Sequence, residues 1–242
     1  MSGSHPTYVE GTDRVRQPAI DVDVLIVGGG AAGLMAAIWA GRTQPGAAVA
    51  VLDGATRLGA KILVAGGGRC NVTHDAVDER AYAGSTPAAI RKVLRRFDVP
   101  QTVAFFAELG VPLKREATGK LFPTSDRART VLDALVGAAR GAGAELLTGR
   151  RVETVARTET GFTVAGEWGR LSAARLVLAT GGKALPKSGS DGGGYRLAQA
   201  LGHTLTPRIF PALVPLTPPH DHFLSTLSGL SSDVMLSVHA PN

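Results

Sequence analysis

The stretch from Asp21 to Asp53 limits what this chain can fold into more than any other. Val22 to Val27 is apolar except at Asp23, the run Gly28-Gly29-Gly30-Ala31-Ala32-Gly33 follows, and Leu34 to Arg42 carries helical spacing. A strand, a glycine turn and a helix in this order open a dinucleotide-binding βαβ unit. Gly28 allows the tight turn, Gly30 lets the backbone approach a pyrophosphate, and Gly33 lets the helix pack closely on the strand. The unpaired N–H groups at the helix start, where Ala31 and Ala32 lie, face the phosphates, and the helix dipole favours negative charge there.

A glycine run of this kind is weak evidence by itself, but a second strand, Ala48 to Leu52, ends in Asp53, twenty positions after Gly33. At that place a carboxylate accepts hydrogen bonds from an adenosine ribose, and an acid disfavours a 2′-phosphate, so NADP is not expected in this first site. The competing reading, a tightly packed βαβ unit without a ligand, does not explain the acid.

With 242 residues, the chain has room for one large core, or for one domain and part of another. Residues 1 to 20 are polar and aperiodic, which predicts a disordered leader without a secretory signal. The weakly polar run Val24 to Ala40 is broken by four glycines, so no membrane span is expected. Cys70 is alone, which excludes an internal disulfide and suits a cytoplasmic setting. Of the net charge of +6, the densest part is Arg91, Lys92, Arg95 and Arg96. No aromatic platform accompanies it, so a solvated helix face is expected and a nucleic-acid partner is not.

The second informative stretch runs from Arg57 to Asn71. Gly66-Gly67-Gly68 followed by Arg69, Cys70 and Asn71 makes a backbone able to fold tightly against a flat or anionic ligand, with N–H groups and a guanidinium as donors. The alternative is a flexible surface hairpin. Together, Val27 to Gly33, Gly59-Ala60-Lys61 and Gly66 to Asn71 resemble the bacterial BaiN-type flavoproteins, also known as the aminoacetone oxidase family of FAD-binding, NAD(P)/FAD-dependent oxidoreductases. Gly119 to Ser125, Ala179 to Gly182, Pro186 to Gly189 and Gly192 to Tyr195 carry the resemblance further, so that it spans about Asp21 to at least Leu216.

The resemblance implies FAD as cofactor, with Lys61, Gly67, Gly68, Arg69, Cys70 and Asn71 beside it. It also implies that the backbone near Val152 meets the adenine ring and that Thr180, Gly181 and Gly182 bring the chain back to the cofactor. The implied reaction is flavin-mediated hydride transfer, with NAD(P)H as donor and a small organic molecule as substrate. Complete members of that family are longer, so a truncated, non-catalytic flavin-binding remnant is one alternative. An NAD-binding dehydrogenase domain is another, though it leaves the Gly66 to Asn71 loop and the Ala179-Thr180-Gly181 turn unexplained.

The expected fold is α/β: a Rossmann-like FAD-binding domain over residues 21–202, with a central parallel sheet and a small antiparallel β-meander. Residues 203–242 are expected to begin an incomplete, β-rich inserted substrate domain, with strand-like alternation from Leu224 to Val238. Thr86-Pro87 predicts a helix start with Ile90, Val93, Leu94 and Phe97 on one face, and Gln101 to Leu109 a second helix burying Val103, Phe106 and Leu109. Val111 to Leu121 suggests a hairpin. Thr124 or Ser125 is expected to cap a helix to Arg140, with Asp126 in its first turn and Val131, Leu132, Leu135 and Val136 buried. Glu145 to Thr148 reads as the third parallel strand. Short strands follow near Val152 to Ala156, Phe162 to Ala165 and Gly169 to Ser172, and an apolar one, Arg175 to Leu178, leads into the Ala179-Thr180-Gly181-Gly182 turn.

Lys183 to Gly194 is a glycine-rich loop that either covers substrate or forms a solvated connection, and Tyr195 to Leu201 a helix. No catalytic group is fixed by pattern: Tyr195, Lys187 and His203 are candidates by their place after the turn. Arg69 or Lys61 near the flavin would favour its reduced, anionic form. Cys70 lacks a CxxC partner, and no metal-ligand spacing occurs.

Overall fold

Strand β1 (Val22–Val27) is apolar on both faces because both are covered: Leu25, Ile26 and Val27 are buried on alternate sides. In the computed structural model, which describes residues 21–209, 211, 219–227, 235, 237 and 239, β1 lies inside a six-stranded sheet. The expected leader over residues 1–20 lies outside the described residues. Parallel to β1 run β2 (Val49–Leu52) on one side and β9 (Gly169–Leu178) on the other, with β6 (Ala144–Leu147) parallel beyond β2.

Helix α1 (Ala31–Thr43) links β1 to β2, and α5 (Ala128–Gly141) leads into β6; both lie on one face of the sheet. There Ile26, Val49 and Val51 pack with Leu34, Ile38, Leu132 and Leu135. Leu25, Val27, Ala50 and Leu52 point the other way, toward Val155, Val164 and Leu197, which belong to the meander and to α6 (Gly193–Ala200). Each fully buried leucine or isoleucine contributes about 1.5–3 kcal/mol relative to exposure. Among the described residues no helix is long and apolar enough to cross a membrane.

The meander consists of β7 (Thr154–Arg157), β8 (Phe162–Gly166) and the first half of β9. Two strands were expected where the single β9 runs. Its first half pairs antiparallel with β8, from Gly166↔Gly169 to Phe162↔Ala173, and its second half parallel with β1, from Val22↔Ala173 to Val27↔Leu178. Ala173 is paired on both sides, so the change of partner needs no break in the chain. The meander is therefore an extension of the central sheet.

Other expectations need correction. Asp126 does not enter the first turn of α5, and neither Thr124 nor Ser125 caps it. Arg127 holds the N-cap position without a side-chain bond, while Asp126 adopts φ +54° with its carboxylate bonded to Lys114. The buried stripe of α5 is Ala128, Val131, Leu132, Leu135 and Ala139, with Val136 only half-buried. Helix α3 (Pro87–Leu94) starts at Thr86-Pro87 as expected, but Val93 is 71% exposed, because α3 packs on the short turn Glu79–Ala81 along a narrow edge. Helix α4 (Val99–Glu108) starts before Gln101, because Asp98 and Gln101 form a reciprocal capping box. It buries Phe105 and Phe106, whereas Val103 and Leu109 are half-buried.

The expected hairpin is β4 (Leu113–Arg115) with β5 (Lys120–Pro123), and β3 (Thr73–His74) adds an unforeseen third strand. Phe223–Leu227 forms a short 3₁₀ helix where strand alternation was expected from Leu224. Its hydroxyls explain the change: Ser225 and Thr226 donate to the carbonyls of His222 and Phe223, three residues back. The rest of that expected strand region falls largely outside the described residues.

Candidate functional site

The glycine turn leaves β1 where the turn after β9 arrives. The Gly28 amide donates to the Leu52 carbonyl at 2.8 Å, and the Ala179 amide donates to the Val27 carbonyl at 2.8 Å, so the carboxyl ends of β2, β1 and β9 are tied together. Gly28 has φ +109°, and a Cβ there would lie 2.4 Å from the Ala179 carbonyl oxygen. A Cβ on Gly33 would lie 1.7 Å from the Gly28 carbonyl oxygen, so α1 sits directly against the turn. Around Gly30, by contrast, an added Cβ would meet no protein atom within 4 Å. The start of α1 has no side-chain cap and no acid in its first turn, which leaves amide donors at Ala31 and Ala32 facing open space.

Asp53 stands at the end of β2 and holds two backbone amides, Gly29 at 2.7 Å and Ala55 at 2.8 Å. Its carbonyl accepts from the Arg150 amide at 2.7 Å, which draws the segment before β7 to the same sheet end. Val152 follows, with its side chain buried in the core below. A Cβ on Gly181 would lie 2.7 Å from Ser190 Oγ and 4.0 Å from Lys61 Nζ, so Lys61, on α2 (Ala60–Val64), reaches the Thr180–Gly182 turn.

Sequence reasoning missed the groups that brace this turn from behind. Gly194, in the first turn of α6, leaves room for the Thr180 hydroxyl, since a Cβ there would lie 1.8 Å from Thr180 Oγ1. Arg151 pairs with Asp191 at 2.6 Å, and Asp191 also accepts from the Gly193 amide. That amide, with Arg151 behind it, holds the Asp191 carboxyl below its usual range. The Arg151–Asp191 pair carries no local sequence signal, because it joins residues forty positions apart.

The Gly66–Asn71 loop is tightly wound: Gly66, Gly67, Gly68 and Cys70 all have positive φ. A Cβ on Gly66 would clash with Phe122 and the Asn71 amide, whereas Gly67 faces open space. Cys70 turns inward to the core, and burial pushes its thiol up. Arg69 stacks on the Phe122 ring at 4.0 Å and pairs with Glu116 at 2.5 Å, with Asp126 3.6 Å away. Its guanidinium charge is thus balanced by two carboxylates of the neighbouring hairpin region. Those contacts raise the Arg69 pKa, chiefly through the Glu116 hydrogen bond.

The three candidate acids and bases separate. The Tyr195 hydroxyl comes to the Thr180–Gly182 turn, 3.1 Å from where a Gly182 Cβ would be, with Lys183 Nζ 6.0 Å from its ring centre. Lys187 lies exposed in the turn Pro186–Ser188, and His203 lines a separate cavity with Phe162 and Leu178. No group of three potential metal ligands occurs among the described residues.

The family described as HI0933-like protein Rossmann domain matches residues 22–236, nearly the whole described chain. This chain belongs to the HI0933-like family. Among its relatives, a 3-dehydro-bile acid delta(4,6)-reductase of Clostridium scindens is 41% identical over 212 residues, covering 88% of this chain and 51% of that protein. A ribosomal RNA dihydrouridine synthase of Escherichia coli is 33% identical over 216 residues, covering 89% and 53%. The HI0933-like chain thus spans about half the length of the curated relatives it matches.

The fold of this HI0933-like chain also matches solved structures. A 3-ketosteroid-delta4-(5alpha)-dehydrogenase from Rhodococcus jostii aligns with TM-score 0.57 at 18% identity, over 79% of this chain and 56% of that one. The open conformation of a flavocytochrome c3 fumarate reductase aligns with TM-score 0.51 at 19% identity, over 75% and 40%. At such identity the likeness concerns fold alone.

Proposed function

We propose that this chain holds FAD and belongs to a cytosolic enzyme that transfers hydride through the flavin, from NAD(P)H to a small organic substrate. The observation that carries this reading is the junction of Gly28 with Ala179. Two glycine turns meet at the carboxyl ends of adjacent parallel strands, where ligands of open α/β sheets lie. Membership in the HI0933-like family and a reductase among the relatives support the redox class.

The residues fit a dinucleotide. Open space at Gly30, uncapped amides at Ala31 and Ala32 and the close seat of Gly33 make a cradle for a pyrophosphate. The lone pairs of Asp53 not used by Gly29 and Ala55 face ribose hydroxyls, and the backbone at Val152 borders the adenine. Lys61, Thr180, Gly181 and Gly182 border the middle of the ligand, and Gly67 and Gly68 offer open backbone to its far end, with Arg69, Cys70 and Asn71 shaping that loop. When bound, the flavin supplies reversible two-electron chemistry. The Tyr195 hydroxyl beside Gly182 is the group on this chain best placed to hold a proton there.

An absorbance spectrum of the purified chain, reconstituted with FAD and then titrated anaerobically with NADH or NADPH, tests this. Visible flavin bands that survive desalting and bleach on titration are expected. A chain that retains no FAD removes the reading, and retained FAD that never bleaches removes the nicotinamide donor.

A further inference from the structure

The loop from Gly66 to Asn71 is wound in a form that its backbone does not favour unaided. Gly66, Gly67, Gly68 and Cys70 have positive φ, and Cys70, at +65°, is not a glycine. Such a conformation persists where the surroundings hold it. The outer side of the loop has little to hold it, since Cβ atoms added to Gly67 and Gly68 would meet no protein atom closer than 3.8 Å. The inner side rests on Phe122 of β5, against which Gly66 packs and over which the Arg69 guanidinium lies at 4.0 Å. Stacking sets the height of the guanidinium above the ring, and a carboxylate fixes its position across it.

Glu116 supplies that carboxylate, at 2.5 Å, from a firm seat. Its amide donates to the Lys120 carbonyl and its carbonyl accepts the Gly119 amide, both at 2.9 Å, in the turn that joins β4 to β5. Lys114, Arg115 and Glu116 are consecutive, and each crosses to a different segment: Lys114 to Asp126, Arg115 to Asp75, and Glu116 to Arg69, 47 positions earlier. We propose that Glu116 is a positioning residue of the cofactor site: it acts through Arg69 to keep the Gly66–Asn71 loop wound, with the open backbone of Gly67 and Gly68 presented to the ligand. That role at the ligand rests on the FAD reading above, whereas the hold on the loop needs no ligand. A direct electrostatic role of Arg69 at the cofactor has the opposite sign. Loss of Glu116 would then unmask the guanidinium and tighten an anionic ligand, whereas a loosened loop binds it more weakly.

The single cysteine of the chain, Cys70, lies in this loop with its side chain buried, so maleimide labelling of the ligand-free chain reads the opening of the loop. FAD affinity, from flavin fluorescence, is measured on the same variants. Glu116→Ala should label about three- to tenfold faster than the wild type and bind FAD more weakly by a similar factor, the scale of one partly exposed charge-assisted bond. Its urea midpoint should stay close to that of the wild type. Glu116→Gln, which keeps an acceptor, should recover part of both losses. In an Arg69→Ala background Glu116→Ala should add nothing, because Glu116 acts through Arg69. Glu108→Gln, which breaks the Arg42–Glu108 pair between α1 and α4, should change neither readout. Unchanged labelling in Glu116→Ala overturns the proposal, as does tighter FAD binding by that variant. Equal acceleration by Glu116→Ala with and without Arg69, or acceleration fully matched by a loss of global stability, overturns it too. A wild-type chain that retains no FAD removes the flavin reading, and the labelling rates alone then decide for or against Glu116.

Discussion

The carboxylate of Asp53 accepts the Gly29 amide at 2.7 Å, so the acid at the end of β2 holds the glycine turn at the end of β1. The same side chain accepts from Ala55 through its other oxygen. An Asn side chain satisfies one of these donors and sets its own N–H against the other. Asp53→Asn should therefore lower the stability of the ligand-free chain by about 1–3 kcal/mol. It should also weaken FAD retention. Urea unfolding without FAD checks the first effect, and an unchanged midpoint would show that Asp53 does not position the turn.

Gly30 and Gly33 separate ligand from packing. A Cβ on Gly33 meets the Gly28 carbonyl oxygen, whereas one on Gly30 meets no protein atom. Gly33→Ala should destabilise the fold by about 1–3 kcal/mol or more, through overpacking. Gly30→Ala should cost about 1 kcal/mol or less, the difference between these residues at an N-cap. Gly30→Ala should nonetheless lose bound FAD. Melting curves and flavin fluorescence on the same two proteins decide between the roles.

Leu135 lies buried at the α5–sheet interface, among Leu132, Val131 and the α1 side chains. Leu135→Ala should cost about 2–5 kcal/mol, the usual range for a leucine-sized cavity in a core that relaxes only in part. Denaturant titration measures it, and a loss below about 1 kcal/mol would mean that the interface collapses around the change.

Asp126 and Asp191 are among the carboxylates that make the fold sensitive to acid. The Lys114 hydrogen bond, with Arg69 adding to it, holds the Asp126 carboxyl below its usual range, and the Gly193 amide does the same for Asp191. A depressed folded value means stability that is present above the unfolded pKa of about 3.9 and is lost as pH falls through the folded value. Both side chains are 41% exposed, so the effect is small and screened by salt. Lys114→Ala should flatten the acid limb of the unfolding midpoint measured against pH. An acid limb as steep as that of the wild type would exclude Asp126 as a contributor.

Much of the fold was legible because it rests on local pattern. The apolar run Val22–Val27, the glycines behind it and the spacing of Val131, Leu132 and Leu135 specify β1, its turn and the inner face of α5 without reference to distant residues. The junction of the Gly28 and Thr180 turns was also readable, since parallel strands send their following loops to the same edge of a sheet.

What the tertiary structure alone decided concerns partners far apart in the chain. Arg69 reads as a free donor beside glycines, but folding brings it to Glu116, Asp126 and Phe122. Thr124 and Ser125 read as caps, yet Lys114 draws Asp126 into a positive φ just before α5 begins. Val93 belongs to an apolar stripe that finds too little surface to bury it, and β9 runs unbroken because Ala173 has a partner on each side. Sequence alone determined β1, its glycine turn, α1, β2 and the body of α5, since propensity and periodicity act between near neighbours. It did not determine which charges pair or which apolar faces stay open, because those depend on distances that exist only after the sheet has assembled.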